Sequence, residues 1–237
     1  MRAAVPHILT LGNLLCGVLA IQVLYSEASW EWAGWLCAIA LLLDAVDGAA
    51  ARALKVSGPL GKQLDSLADM VSFGVLPGVA GSCLIAEWWY AEEASDHWSS
   101  FIPLIFTLCA ALRLARFNID TEQRHFFKGL PSPAAAMVLM SLVVVVDPDR
   151  MNALDRLIAH PIFIGLLSVF LGLLMLIPKP MASIKKGPDG KLHWIVPACV
   201  SIGGASSFFI GAMGVPLSVC LYIILSILFY RPHEVQS

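Results

Sequence analysis

Four aspartates, Asp44, Asp47, Asp65 and Asp69, fall within 26 residues of otherwise apolar sequence. An aspartate placed in a membrane helix costs about 2.5–3.5 kcal/mol on insertion scales, so such residues face an interior cavity and serve a function. At about 100° per residue, Asp44, Asp47, Gly48, Ala51 and Arg52 share a stripe of roughly 140° on one helix, and Gly61, Asp65 and Asp69 repeat every fourth residue on the next. Four converging carboxylates repel one another unless they are protonated or held by cations. An all-oxygen donor set suits Mg²⁺, Mn²⁺ or Ca²⁺ rather than zinc. Two such ions a few ångströms apart would clamp a diphosphate and stabilise both attacking and leaving oxygens. Gly48 and Gly61 leave room for a ligand to approach the backbone, and Arg52 offers a fork for phosphate. Small residues such as Gly48 and Ala49–Ala51 also permit close helix packing. That reading explains the glycines but not the acids.

The elements that position these residues are membrane helices. Of the 237 residues 58% are hydrophobic and only 14% charged, and mean hydropathy is +0.78. These values exclude disordered, collagenous and disulfide-scaffold classes. The balance of 15 basic and 17 acidic residues gives no sign of a nucleic-acid partner. Cys16, Cys37, Cys83, Cys109, Cys199 and Cys220 stand singly in apolar runs and read as small hydrophobes. Apolar runs predict an all-α, polytopic bundle of about eight transmembrane helices near residues 8–25, 32–54, 62–89, 98–117, 132–147, 160–178, 194–212 and 214–230. The first run is longer than a signal-peptide core and is expected to be retained. Ser57-Gly58-Pro59 is a turn that makes the two acid-bearing helices antiparallel neighbours. Lys185-Lys186-Gly187-Pro188-Asp189-Gly190-Lys191 marks a boundary between a six-helix unit, residues 1–178, and a two-helix extension, residues 179–237.

Orientation follows from the basic residues. Arg2, Arg52, Lys55, Lys62, Arg113, Arg116, Arg124, Lys128, Lys179, Lys185, Lys186, Lys191 and Arg231 gather on one side, against Arg150 and Arg156 on the other. Thirteen against two places both termini and the aspartates on the cytoplasmic side of an inner membrane. Trp30, Trp32, Trp35, Trp88, Trp89 and Trp98 form an interfacial belt opposite.

Asp44-Ala45-Val46-Asp47-Gly48-Ala49-Ala50-Ala51-Arg52, followed after eight residues by Gly61-Lys62-Gln63-Leu64-Asp65-Ser66-Leu67-Ala68-Asp69, resembles without departure the signature DxxDGxxAR(x8)GxxxDxxxD of the CDP-alcohol phosphotransferases. Eight fixed positions would arise by chance with probability on the order of 10⁻⁸ in a chain of this length. Further segments resemble the phosphatidylserine synthase branch: Pro6, Thr10 and Asn13-Leu14-Leu15-Cys16-Gly17; Ser72-Phe73-Gly74 with Pro77; Arg113-Leu114-Ala115-Arg116-Phe117-Asn118; and Phe127-Lys128-Gly129-Leu130-Pro131-Ser132-Pro133-Ala134-Ala135. His7 departs from the asparagine of many relatives, and beyond residue 160 the likeness is little more than hydrophobicity.

The resemblance implies a homodimeric enzyme, surrounded by membrane lipids, that joins the hydroxyl of L-serine to the phosphatidyl group of CDP-diacylglycerol and releases CMP. It implies Asp69 as general base and Asp44, Asp47, Asp65 and Asp69 as ligands for two divalent ions, Mg²⁺ or Mn²⁺, with Ca²⁺ in a resting or inhibited state. Asn13, Asp44, Gly48, Ala51, Arg52, Gly61 and Asp65 would receive the CDP-lipid. For the acceptor's carboxylate the candidates are Arg113, Arg116 and Lys128, with Arg116 first because a guanidinium fork binds a carboxylate bidentately. Arg113 and Arg116 lie one helical turn apart and can face one ligand. Positive-inside anchoring explains any one of them equally well. A sister transferase using glycerol 3-phosphate or inositol phosphate shares the signature. A cation- or proton-coupled transporter explains paired acids but not Gly48, Arg52 and Gly61 at these intervals.

Topology offers the first test. A cysteine placed at Glu92 is expected to react with an impermeant thiol reagent applied from outside, and one at Lys185 is not. The reverse labelling pattern would put the aspartates on the wrong side of the membrane for a cytoplasmic acceptor.

Overall fold

The computed structural model describes residues 4–26, 29–56, 58–92, 98–119, 127–146, 152–181 and 195–229. Helix α1 (Ala4–Leu24) is followed by α2 (Glu31–Leu54) and by one continuous rod made of α3 (Pro59–Asp69), a π-helical stretch (Met70–Val75) and α4 (Leu76–Ala91). A 3₁₀ turn (Trp98–Phe101) leads into α5 (Leu104–Ile119); β1 (Phe127–Lys128), α6 (Ser132–Val145), the short α7 (Ala153–Ile158), α8 (Pro161–Leu176), β2 (Pro180–Met181), α9 (Ile195–Ile210) and α10 (Gly214–Phe229) complete the order. Among the described residues the regular structure is helical apart from a two-residue antiparallel pairing of β1 with β2. The sequence reading contains neither that pairing nor α7.

Helical segments occupy each place where a span is expected, but length separates them. Ala4–Leu24, Glu31–Leu54, Pro59–Tyr90 and Trp98–Ile119 are long and apolar enough to cross a membrane. Ser132–Val145, Pro161–Leu176 and Gly211–Ser226 are apolar but shorter. About eight crossings are expected from sequence, and four meet the length requirement among the described residues. The shortness of α6 has a physical reason. Nearly every residue from Ala135 to Val143 is buried, so α6 is lined by protein and has no need to match the thickness of lipid.

The first two helices are polar or small inside and apolar outside, as a bilayer demands. Helix α1 buries Pro6, Thr10, Asn13, Gly17, Ala20 and Leu24 at alternating three- and four-residue intervals, while Ile8, Leu11, Leu15 and Val18 face outward. Helix α2 buries Ala33, Cys37, Ala40 and Asp47 and turns Trp32, Trp35, Ile39 and Leu42 outward. Backbone packing joins α1 to both α2 and α3, and α2 meets the third rod at its π-helical stretch. The antiparallel neighbours expected from the Ser57–Pro59 turn therefore share α1 as their common partner; Ser57 itself lies outside the described residues.

Two apolar clusters hold the bundle. One joins α1, α2, the π-helical stretch, α4 and α6 through residues such as Ala20, Cys37, Phe73, Leu84 and Met140. The other joins α5, α6 and α8 to the C-terminal pair through Phe106, Leu139, Met175, Cys199 and Tyr222. At the end opposite the aspartates, Trp89 Nε1 donates to Ser99 Oγ, Trp88 packs edge-on to Trp89 and His160, and Arg156 pairs with Glu92.

The strap carrying β1 is tied to the end of α8. Gly129 N donates to Lys179 O at 2.9 Å and Leu130 N to Leu174 O at 3.0 Å, which satisfies a carbonyl that the end of α8 leaves open. Gly129 sits at φ +77°, and a Cβ there would lie 2.5 Å from Met175 O and 2.9 Å from Ile177 O. Gly129→Ala is expected to lower stability by about 2 kcal/mol or more, since backbone strain adds to the clash. Gly204→Ala on α9, where nothing lies within 4 Å, is the control and should move stability by no more than about 0.5 kcal/mol. Thermal aggregation in detergent reads both; equal midpoints for the two variants would refute the strain.

Candidate active site

Helix α2 ends with Lys55 in the left-handed conformation, φ 54° and ψ 41°, its N–H returning to Ala51 O and Arg52 O. The chain re-enters through Gly58 and Pro59, whose missing N–H suits the first turn of α3. These ends bring the acids together. Asp44, Asp47 and Asp65 have carboxylate oxygens that all lie within 4.8 Å of one another. Asp69 stands outside that triad but within electrostatic reach of all three.

Helix α1 forms the third wall. His7, Thr10 and Asn13 follow one another at three-residue intervals along it, and each meets a signature residue. His7 Nε2 faces Gly61, 3.4 Å from where a Cβ would stand. Thr10 Oγ1 donates to Asp47 Oδ2 at 2.6 Å, with Pro6 O as an alternative acceptor at 2.9 Å. The hydroxyl has one proton, and the charge-assisted partner holds it more strongly. Asn13 Nδ2 donates to Asp69 Oδ1 at 3.3 Å. The sequence singles out Thr10 as part of a segment that resembles the phosphatidylserine synthase branch, but gives it no partner.

The donor set fits a divalent cation. Three carboxylates within 4.8 Å form a hard-oxygen cluster, and Asn13 Oδ1, fully buried beside Asp69, has no hydrogen-bond partner. Rotating the amide to exchange its ends would face oxygen to oxygen at Asp69, so the orphan acceptor belongs where it stands.

Arg52 is exposed and folds back along its own helix: a Cβ on Gly48 would lie 3.3 Å from its Nη1. Ala51 and Gly48 are half-buried on the same turn. On α5, Arg113 and Arg116 part company. Arg113 is buried and its Nη1 donates to Ser132 Oγ at 2.9 Å, whereas Arg116 is exposed. Lys128 lies in β1, and its side chain and the whole of Arg124 fall outside the described residues. The end of α5 is clipped to α3, because Lys62 Nζ donates to Asn118 O at 2.8 Å and the Asn118 amide donates to Ser66 Oγ at 2.9 Å.

The family model described as CDP-alcohol phosphatidyltransferase matches residues 3–177. The chain belongs to this family. The match takes in the acid site and the whole of the α1–α8 bundle, so the CDP-alcohol phosphatidyltransferase signature and the geometry coincide. Relatives include a CDP-diacylglycerol–serine O-phosphatidyltransferase of Helicobacter pylori, 30% identical over 98% of this chain and 84% of its own length. A Bacillus subtilis protein of the same name is 33% identical over 61% of this chain and 77% of its own length. An archaetidylserine synthase of Methanothermobacter thermautotrophicus is 34% identical over 66% and 64%.

The Thr10 bond can be tested on transferase activity. Thr10→Val keeps the shape and removes the donor, and hydrogen bonds to charged groups contribute about 1.5–3 kcal/mol, so CMP release should fall by at least about tenfold. Thr10→Ser should retain most of the activity. Equal rates in wild type and Thr10→Val would show that Asp47 does not depend on this hydroxyl.

Proposed function

We propose that the chain transfers the phosphatidyl group of CDP-diacylglycerol to L-serine, yielding phosphatidylserine and CMP. The observation that carries the chemistry is the division of the four aspartates into a triad within 4.8 Å and a fourth, Asp69, held by Asn13. The acceptor is read from relatives, since three of them, from two bacteria and an archaeon, have serine in their names.

Asp44, Asp47 and Asp65, with Asp69 at the edge of the site, would hold two divalent cations, Mg²⁺ or Mn²⁺. When bound, these ions neutralise the diphosphate and stabilise the departing CMP. Asp69 accepts the proton of the serine hydroxyl, a poor nucleophile at neutral pH, as its oxygen attacks the β-phosphorus. The new P–O bond forms opposite the one that breaks, and the electron pair of the broken bond leaves on CMP. Thr10 and Asn13 fix the orientation of Asp47 and Asp69. Gly48, Ala51 and Gly61 leave space for the nucleotide along α2 and α3, where Arg52 reaches its phosphates. Arg113 has a better claim on serine's carboxylate than the exposed Arg116, because a buried guanidinium with spare donors binds an anion without competition from water.

The same reading places both termini and the acid site on the cytoplasmic face of the inner membrane and takes the enzyme as a homodimer. It divides the chain into a six-helix core, residues 1–178, and a two-helix extension, residues 179–237, a division supported by the end of the family match at residue 177.

The deciding experiment measures CMP release by purified protein given CDP-diacylglycerol and, separately, serine, glycerol 3-phosphate and inositol phosphate. Serine alone is expected to support turnover, EDTA to abolish it and Mg²⁺ or Mn²⁺ to restore it. A better rate with glycerol 3-phosphate would overturn the serine assignment and leave the transferase standing; full activity in chelator would overturn the metal assignment.

A further inference from the structure

A guanidinium inside a membrane bundle is costly unless its donors are engaged and its orientation is fixed. Arg113 is 8% exposed, gives one Nη1 bond to Ser132, and has a buried Nε without a partner. Among the described residues no ion pair joins it to a carboxylate. Something besides Ser132 must keep it from turning. The surroundings point to α10. Tyr222 is buried in the same apolar cluster as Cys109 and Ala110, one turn before Arg113 on α5, and as Ala135, one turn after Ser132 on α6. Helix α10 packs directly on α6. The phenol also lies within electrostatic reach of the Arg113 guanidinium, which in turn lies within reach of Asp69.

A tyrosine in this setting serves two ends, because its ring fills volume among aliphatic side chains while its oxygen offers lone pairs to a nearby cation. In a low-dielectric interior the second contribution is strong. We propose that Tyr222 is a positioning residue for Arg113, so that the two C-terminal helices complete the acceptor pocket instead of serving only as membrane anchors. This rests on reading Arg113 as the acceptor's carboxylate site. It adds a residue from a part of the chain beyond the family match, which ends at residue 177.

The test uses the full chain in detergent or liposomes. Initial rates of CMP release are measured with the acceptor varied at saturating CDP-diacylglycerol, and then the reverse. The acceptor is serine or whichever alcohol the wild type uses, so a failed serine assignment shows in the wild-type panel and still leaves Tyr222 tested. Tyr222→Phe removes only the hydroxyl and should raise the acceptor KM about tenfold, with kcat and the CDP-lipid KM within about twofold. Val219→Ala, one turn earlier in the same cluster, should leave the acceptor KM unchanged. Arg113→Lys should remove the effect of Tyr222→Phe, as coupled residues are not additive. An unchanged acceptor KM in Tyr222→Phe, or an equal rise in Val219→Ala, would overturn the proposal.

Discussion

Everything in this bundle follows from holding four carboxylates close together, with Asp47 buried and Asp44, Asp65 and Asp69 half-buried. Repulsion among Asp44, Asp47, Asp65 and Asp69 must be opposed by fixed partners, and the chain supplies them mainly from α1. Thr10 and Asn13 face inward and the large aliphatic residues of that helix face outward, which inverts the pattern of a soluble amphipathic helix. Close approach then becomes obligatory. Gly17 lies against the π-helical stretch so closely that a Cβ would come within 2.4 Å of Ser72 Oγ, and that hydroxyl donates to Asn13 O at 3.0 Å. The polar site and the small-residue packing are thus one requirement met by one helix.

Polarity in an apolar run was the legible part of the sequence. The four aspartates, their helical spacing and the eight signature positions could be read directly, because each breaks a background of hydrophobic residues. Helix locations were legible for the same reason. What escaped depends on pairwise contact. Thr10, Asn13 and Gly17 stand out in sequence through their resemblance to the phosphatidylserine synthase branch, but what each touches depends on the helices placed beside them, so the role of α1 as shared partner does not show in periodicity. Arg113 and Arg116 differ by a single turn, and only the packing of α5 puts Arg113 on the face buried with Phe106, Cys109 and Ala110, where it meets Ser132. The β1–β2 pairing joins two-residue segments more than 50 positions apart, too short and too distant for any pattern.

Helix α6 links the two halves. It contributes Ala136 and Met140 to the cluster around α1, α2 and α4, and Ala135 and Leu139 to the one around α5, α8 and the C-terminal pair. A helix apolar on every side has no direction of its own, and its rotation is set by neighbours. Ser132 at its first turn bonds Arg113, and this polar contact fixes the rotation.

The π-helical stretch after Asp69 is stapled on two sides, by Ser72 to α1 and by Thr107 Oγ1, which donates to Gly74 O at 2.9 Å. A π turn takes up one residue more than an α turn, so it sets the rotational phase between the acid-bearing and core-packing ends of a single rod. Wound as an α-helix with the same number of residues, this stretch would leave the aspartates in place and turn every α4 side chain by about 100°, swinging Ala80 and Leu84 from the core toward lipid. The interval between Asp69 and Pro77 is therefore a fixed gear setting: substitutions that keep the π turn can be absorbed one by one, whereas loss of the turn at unchanged length would uncouple the acid-bearing end of the rod from the end that anchors it.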